Sequence, residues 1–117
     1  MNTREIGARK EEVACRYLEQ NGVRIKERNF RCRSGEIDVI GYDGEYLVFF
    51  EVKYRKSGSD KGSALEAVGF FKQKKICRVA DYYRMIHRCP SDMPIRFDVV
   101  AIDGDSIQWI KNAFEYV

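Results

Sequence analysis

The stretch GEIDVIGYDGEYLVFFEVKYR, residues 35–55, constrains this chain more than any other. Asp43-Gly44 between two apolar runs is a hairpin signal, so strands are predicted over 35–42 and 45–54. Side chains alternate along a strand. In the second run Leu47, Phe49, Glu51 and Lys53 therefore share one face, and Tyr46, Val48, Phe50 and Val52 share the other. Both faces are apolar, which is the pattern of a central strand. Yet Asp38 interrupts the first run, and Glu51 and Lys53 close the second. Buried charge is costly unless it is paired or bound to a cation.

With Asp43-Gly44 as a two-residue loop, Tyr42 faces Glu45, Ile40 faces Leu47, Asp38 faces Phe49 and Glu36 faces Glu51. Facing residues share a sheet face. Glu36, Asp38, Glu51 and Lys53 are thus expected to project together, with Asp38 and Glu51 as diagonal neighbours roughly 7–8 Å apart. A slip of one residue would turn Asp38 to the other face.

The rest of the chain supplies what such a strand pair needs. Asn2 followed by Glu5 reads as a helix start. Ala14, Tyr17 and Leu18 recur at helical spacing, and Gly22 is a stop, so a helix is predicted over 3–21. Gly7, Glu11, Ala14 and Leu18 form one stripe, which sets Glu11 on the apolar face. Gly7 and Ala14 are small enough to bring that face close to a sheet. A strand follows over 23–30. KSGSDKG, residues 56–62, is a polar, glycine-rich loop. From about residue 70, Ile76, Val79, Ala80, Tyr83 and Ile86 keep a helical stripe that Cys89-Pro90 breaks. Strands over 95–102 and 106–114 flank Asp103-Gly104-Asp105. The order α-β-β-β-α-β-β predicts one α/β domain over all 117 residues, a mixed β-sheet flanked by helices. The second helix is the crossover that sets the fourth strand parallel to the third.

Composition narrows the function classes. No run of about 18 apolar residues exists, which argues against a membrane span. The polar N-terminus lacks the apolar middle of a secretory signal. Cys15, Cys32, Cys77 and Cys89 then read as reduced thiols in a cytoplasm. His87 and Cys89 are too few and too close to read as a zinc site, and are taken as ordinary residues. Net charge is +3, but it is grouped. Residues 24–33 hold five basic side chains and one acid, residues 69–88 hold six and one, and residues 89–117 hold two and five. Grouped positive charge suits a polyanion partner.

Two or three carboxylates beside one lysine resist burial unless positive charge joins them. Mg²⁺ (or Mn²⁺) takes one or two protein carboxylates, with waters and substrate phosphate completing its shell. Such an ion activates water and neutralises a phosphoryl oxygen. Lys53 would orient the water and offset developing charge. The plain alternative is a partly exposed Glu51–Lys53 pair at a strand end, which Asp38 in register and Glu11 on a buried stripe make less fitting.

An acid on one strand followed by E-x-K on the next, here Asp38 and then Glu51-Val52-Lys53, resembles the PD-(D/E)xK nuclease superfamily. Set in GEIDVI, FFEVKYR and RFDVVAI, with AxRYLEQNG before RNFR, it resembles the YraN family of small bacterial proteins. That family is in turn similar to archaeal Holliday-junction resolvases. The resemblance spans residues 7–102 and implies a restriction-endonuclease-like fold. It implies that Asp38, Glu51 and the carbonyl of Val52 hold the metal, that Lys53 is the catalytic lysine and that Glu11 is the first-helix glutamate of the pattern. Lys10 stands where the family usually carries glycine. It also implies action on DNA of branched or flapped shape, and symmetric dimers.

Nucleic-acid contacts are expected in two places. Lys72, Gln73, Lys74 and Lys75 fill the first turns of the second helix, where cations oppose the helix dipole and an incoming phosphate would relieve the conflict. That helix start is expected beside Glu51 and Lys53, the edge where open α/β sheets bind ligands. Arg28, Asn29 and Arg31 form the second group. Tyr54, Phe70 and Phe71 read as core aromatics, with stacking on unpaired bases as the alternative. The expected function is a divalent-metal-dependent endonuclease, against a binding module without turnover or a structural adaptor.

Overall fold

Asn2 starts the first helix, α1 (Thr3–Gln20), by accepting the Glu5 N–H on its side-chain oxygen at 2.9 Å. The computed structural model describes residues 2–55 and 68–117. The helix ends in a Schellman turn. Gly22 sits at φ +92°, the Gly22 N–H reaches the Glu19 carbonyl and the Val23 N–H reaches that of Leu18. Leu18 and Val23 are both buried in one cluster, which supplies the apolar contact of that motif.

The chain then lays down β1 (Arg24–Cys32), β2 (Gly35–Asp43) and β3 (Tyr46–Arg55). After α2 (Phe70–Ile86) come β4 (Ile95–Asp103) and β5 (Ser106–Phe114). The element order is the one the pattern predicts. The predicted 56–62 loop lies outside the described residues. The strands form one sheet in the order β1-β2-β3-β4-β5. β3 is central, antiparallel to β2 and parallel to β4, as expected for a strand apolar on both faces and a helical crossover. α2 covers one face, over Ile37, Ile40, Leu47, Phe49 and Val99. α1 covers the other, over Val39, Val48, Phe50, Val52 and Val100.

The β2–β3 register differs from the predicted one. Asp43 pairs with Tyr46, Tyr42 with Leu47 and Ile40 with Phe49. The loop is therefore Gly44-Glu45. Gly44 takes φ +61° and Glu45 is not among the positive-φ residues, the sign pattern of a type II′ turn with glycine first. The second hairpin repeats the device, with Asp103 paired to Ser106 and Gly104 at φ +61°. Moving the loop by one position shifts each partner by two, so the paired side chains from Val39 to Asp43 keep their predicted faces.

One buried acid has no signal in the strand pattern. Asp98 is fully buried on β4. It accepts from the Arg96 guanidinium (2.7 and 3.1 Å), the Trp109 indole N–H (2.8 Å) and the Asn112 backbone N–H (2.9 Å). Asn112 sits at φ +54° where β5 bulges against β4, so the carboxylate receives an N–H that the ladder does not use. Arg96 also reaches Asp43 at 2.9 Å, tying β4 to the β2–β3 turn.

Candidate functional site

The site grows from a place where two strands part. The β2–β3 ladder ends at Val39 opposite Phe50. One step further the register sets Asp38 directly opposite Glu51, not diagonal to it as first expected. Here the Val52 N–H is taken not by backbone but by Asp38 Oδ2, at 2.8 Å. In a strand the N–H and C=O of one residue leave by the same edge. The Val52 carbonyl therefore also faces the gap between β2 and β3.

Asn29 on β1 marks the cause of the parting. It is a non-glycine residue at φ +53°, beside Asp38 in the β1–β2 register. Arg28 and Phe30 flank it. By simple alternation they would share a face. Instead Arg28 bonds Glu12 on α1 at 2.6 Å, while Phe30 meets Tyr83 on α2 edge-on at 5.2 Å. Their partners follow, with Val39 on the α1 side and Ile37 on the α2 side. Both strands turn over at Asn29 and Asp38, and β2 swings away from β3.

Glu51 is buried, its side chain 7% exposed. Its carboxyl is pushed up to about 8, first by burial and then by contact with and charge from Asp38. Lys72 and Lys53 pull it down, but by less. Lys72, in the first turn of α2, brings its amine to 3.7 Å from Glu51. The predicted neighbourhood of the α2 start and the end of β3 is thus present. Lys53 is half-buried, and its charge acts on Glu51.

Glu11 reaches the same centre from α1. Its carboxyl is raised by burial, then by the charges of Asp38 and Glu36, and lowered by a hydrogen bond to the Asn29 side chain and by Arg28. A cleft of about 570 Å³ opens beside it, lined by Gly7, Glu11, Asn29 and Glu36 among others. A Cβ on Gly7 would meet nothing within 4 Å. Gly7 therefore borders open cleft and does not press α1 onto the sheet, contrary to expectation; Ala14, fully buried, does. Lys10 lines a different cleft, with Ile6, Tyr54 and Arg55, and leaves the one beside Glu11 open.

The residues expected to meet nucleic acid flank this centre. Arg28 holds Glu12, Asn29 holds Glu11 and Arg31 pairs with Glu36, so the β1 group is engaged with acids on the α1 side. On the α2 side, Lys72 points to Glu51 and Gln73 donates to the Val68 carbonyl at 2.9 Å. Lys74 lies over the Phe70 ring at 5.6 Å, and Lys75 is exposed. Phe70 and Phe71 are 56% and 81% exposed, against the expectation that they fill the core. The inward stripe of Ile76, Val79, Ala80 and Tyr83 runs back through 72, 73 and 69, and positions 70 and 71 fall off it. Glu36, expected on the face of Glu51, lies beyond the turnover on the α1 side, paired with Arg31 and lining the cleft beside Glu11.

Among the described residues, no three His, Cys, Asp or Glu side chains stand close enough together to form a metal cage by themselves. Nor is any of their helices long and apolar enough to cross a membrane.

A model of the family described as "Uncharacterised protein family UPF0102" matches residues 10–102. A UPF0102 protein of Lachnoclostridium phytofermentans is 45% identical over 98% of this chain and 97% of its own length. One from Legionella pneumophila (strain Corby) is 43% identical over 97% of each chain. One from Shewanella loihica is 46% identical over 92% of each. The chain belongs to the UPF0102 family, the YraN family whose pattern its sequence carries.

Proposed function

We propose that this UPF0102 protein is a divalent-metal-dependent endonuclease of the restriction-endonuclease-like, PD-(D/E)xK type, acting on DNA in the cytoplasm, with branched or flapped shapes as its substrates. The observation that carries the reading is the facing pair Asp38 and Glu51 at the parting of β2 and β3. One of these carboxyls is buried and pushed up to about 8 by burial and by the other. Two acids so placed hold a proton between them unless a cation replaces it.

The donor set fits Mg²⁺ or Mn²⁺. Asp38, Glu51 and the Val52 carbonyl are all oxygen donors, and hard divalent ions take few protein carboxylates and keep waters. That count also accords with the lack of a ready three-acid cage among the described residues. When bound, such an ion would activate water and neutralise charge on a phosphoryl oxygen.

The chain's own residues supply the rest. Lys53, on the face of Glu51, orients the attacking water and offsets charge that develops on the phosphate. Lys72, 3.7 Å from Glu51, holds a substrate phosphate at the mouth of the site. Glu11, raised by burial and then by its acidic neighbours, accepts a proton or a water from the α1 side. Arg28, Asn29 and Arg31 on one flank and Lys72, Gln73, Lys74 and Lys75 on the other contact the backbone of the nucleic acid, which positions substrate without reading bases. Two copies side by side would present two such centres to a branched substrate.

A second reading is a nucleic-acid-binding module without turnover. It needs only the basic start of α2, where Lys72, Lys74 and Lys75 stand with no acid in the first turn. The test is incubation of labelled linear, flapped and four-way DNA with Mg²⁺, Mn²⁺ or EDTA, beside folded Glu51→Gln and Lys53→Ala variants. The enzyme reading expects cleavage that needs metal and is lost in both variants. Salt-sensitive binding with no cleavage by the wild type would select the module.

A further inference from the structure

We propose that Phe71, with Phe70 beside it, is a stacking platform for an unpaired nucleobase next to the Asp38–Glu51 centre. The platform makes single-stranded or flipped-out nucleic acid the preferred ligand of the α2 side. The inference rests on the reading of this site as one that meets nucleic acid.

Phe71 is the most exposed large apolar side chain among the described residues, at 81%. Phe70, at 56%, meets it edge-on with ring centroids 6.2 Å apart. Lys74 lies over the Phe70 ring, which leaves the Phe71 ring as the open face. An exposed phenylalanine pair has a cost in water, and the stripe that α2 buries does not need it.

What surrounds the rings identifies the occupant. Lys72 follows Phe71 directly and reaches Glu51 at 3.7 Å, so the platform adjoins the buried acids. Lys74 and Lys75 follow, and the first turn of α2 contains no acid. Interleaved rings and cations match a chain of alternating π-faces and phosphates, which is single-stranded nucleic acid. In a duplex each base is already stacked on its neighbours, so an unpaired base is the one with a face to offer. An apolar peptide would use the rings and leave Lys74 and Lys75 without an anionic partner.

The test measures binding with EDTA present, so cleavage plays no part. Fluorescein-labelled oligothymidylate and a blunt duplex of equal length are titrated with the full chain and its Phe71→Ala, Phe71→Leu and Phe71→Trp variants. Circular dichroism confirms folding, which an 81%-exposed side chain should not disturb. Phe71→Ala and Phe71→Leu are expected to weaken oligothymidylate binding about 5- to 150-fold, the range of one base–aromatic stack, and to leave the duplex within about twofold. Phe71→Trp is expected to retain wild-type affinity. Leucine binding as well as phenylalanine would overturn the proposal, because an apolar contact would then suffice. Unchanged oligothymidylate affinity in Phe71→Ala would also overturn it, as would a switch from dimer to monomer with affinity unaltered. A wild type that cleaves no DNA while its binding depends on the Phe71 ring would refute the nuclease reading and leave the platform standing.

Discussion

Asp38 accepts the backbone N–H of Val52 at 2.8 Å, where the next rung of the β2–β3 ladder would otherwise lie. One side chain thereby closes the end of a strand pair and holds a carboxylate against Glu51. Structure and chemistry share the group, so substitutions at Asp38 separate them. Asp38→Asn keeps an acceptor for Val52 and removes the charge. Asp38→Ala leaves a half-buried N–H without a protein partner, at about 1–3 kcal/mol. Urea unfolding should find the alanine variant less stable than the asparagine variant by that amount, and metal-dependent cleavage should be absent from both.

Glu51 sets the pH dependence of the metal-free protein. Its ordinary value is 4.5, and in the fold it lies at about 8. Below 4.5 the carboxyl is neutral in both states. Between 4.5 and about 8 the unfolded chain releases a proton that the folded chain keeps, so stability falls as pH rises. Above about 8 the buried group is charged and the whole penalty, on the order of a few kcal/mol, is in place. Denaturant midpoints from pH 5 to 9 in EDTA should show this decline for the wild type. Glu51→Gln should flatten it, and Mg²⁺ should restore the wild type at the alkaline end.

Lys72 is the cation nearest Glu51 on the α2 side. Lys72→Met should raise the Glu51 carboxyl further by removing a charge that lowers it. It should also remove one phosphate contact. A plot of log affinity for DNA against log salt should lose about one unit of slope, equally for every sequence tested.

Asp98 lies on the opposite sheet face from Glu51, in register with Phe50. Asp98→Ala takes an acceptor from Arg96, Trp109 and the Asn112 N–H at once and leaves the Arg96 cation with Asp43. The cost should be about 3–5 kcal/mol, as for one half of a buried ion pair. Asp98→Asn should cost less. Thermal melts measure both.

Much of this was legible because strand alternation has a period of two. Glu51 and Lys53 on one face of a central strand, and Asp38 on the same face, follow from that period and survive the moved loop. The loop itself was misread because aspartate-glycine favours a type I′ turn, whereas Gly44 here takes the first position of a II′ turn. The turnover of β1 and β2 at Asn29 had no sequence signal beyond an asparagine that tolerates positive φ. The moved loop brought Asp38 from a diagonal to a facing position against Glu51, and the turnover carried Glu36 to the α1 side. Asp98 was visible only as an acid within RFDVVAI. Its role depends on a bulge in β5 that no local pattern announces. Residue type alone points Phe70 and Phe71 to the core, whereas the helical stripe excludes positions 70 and 71, and both rings are exposed.

The central claim is that Asp38 and Glu51 form a cation site, and calorimetric titration of the metal-free protein with Mn²⁺ near pH 7 tests it most directly. The account predicts binding by the wild type with release of a proton, seen as a heat that changes with buffer ionisation enthalpy. It also predicts loss of that binding in folded Glu51→Gln and Asp38→Asn variants. No binding by the wild type, or equal binding by the variants, would contradict it.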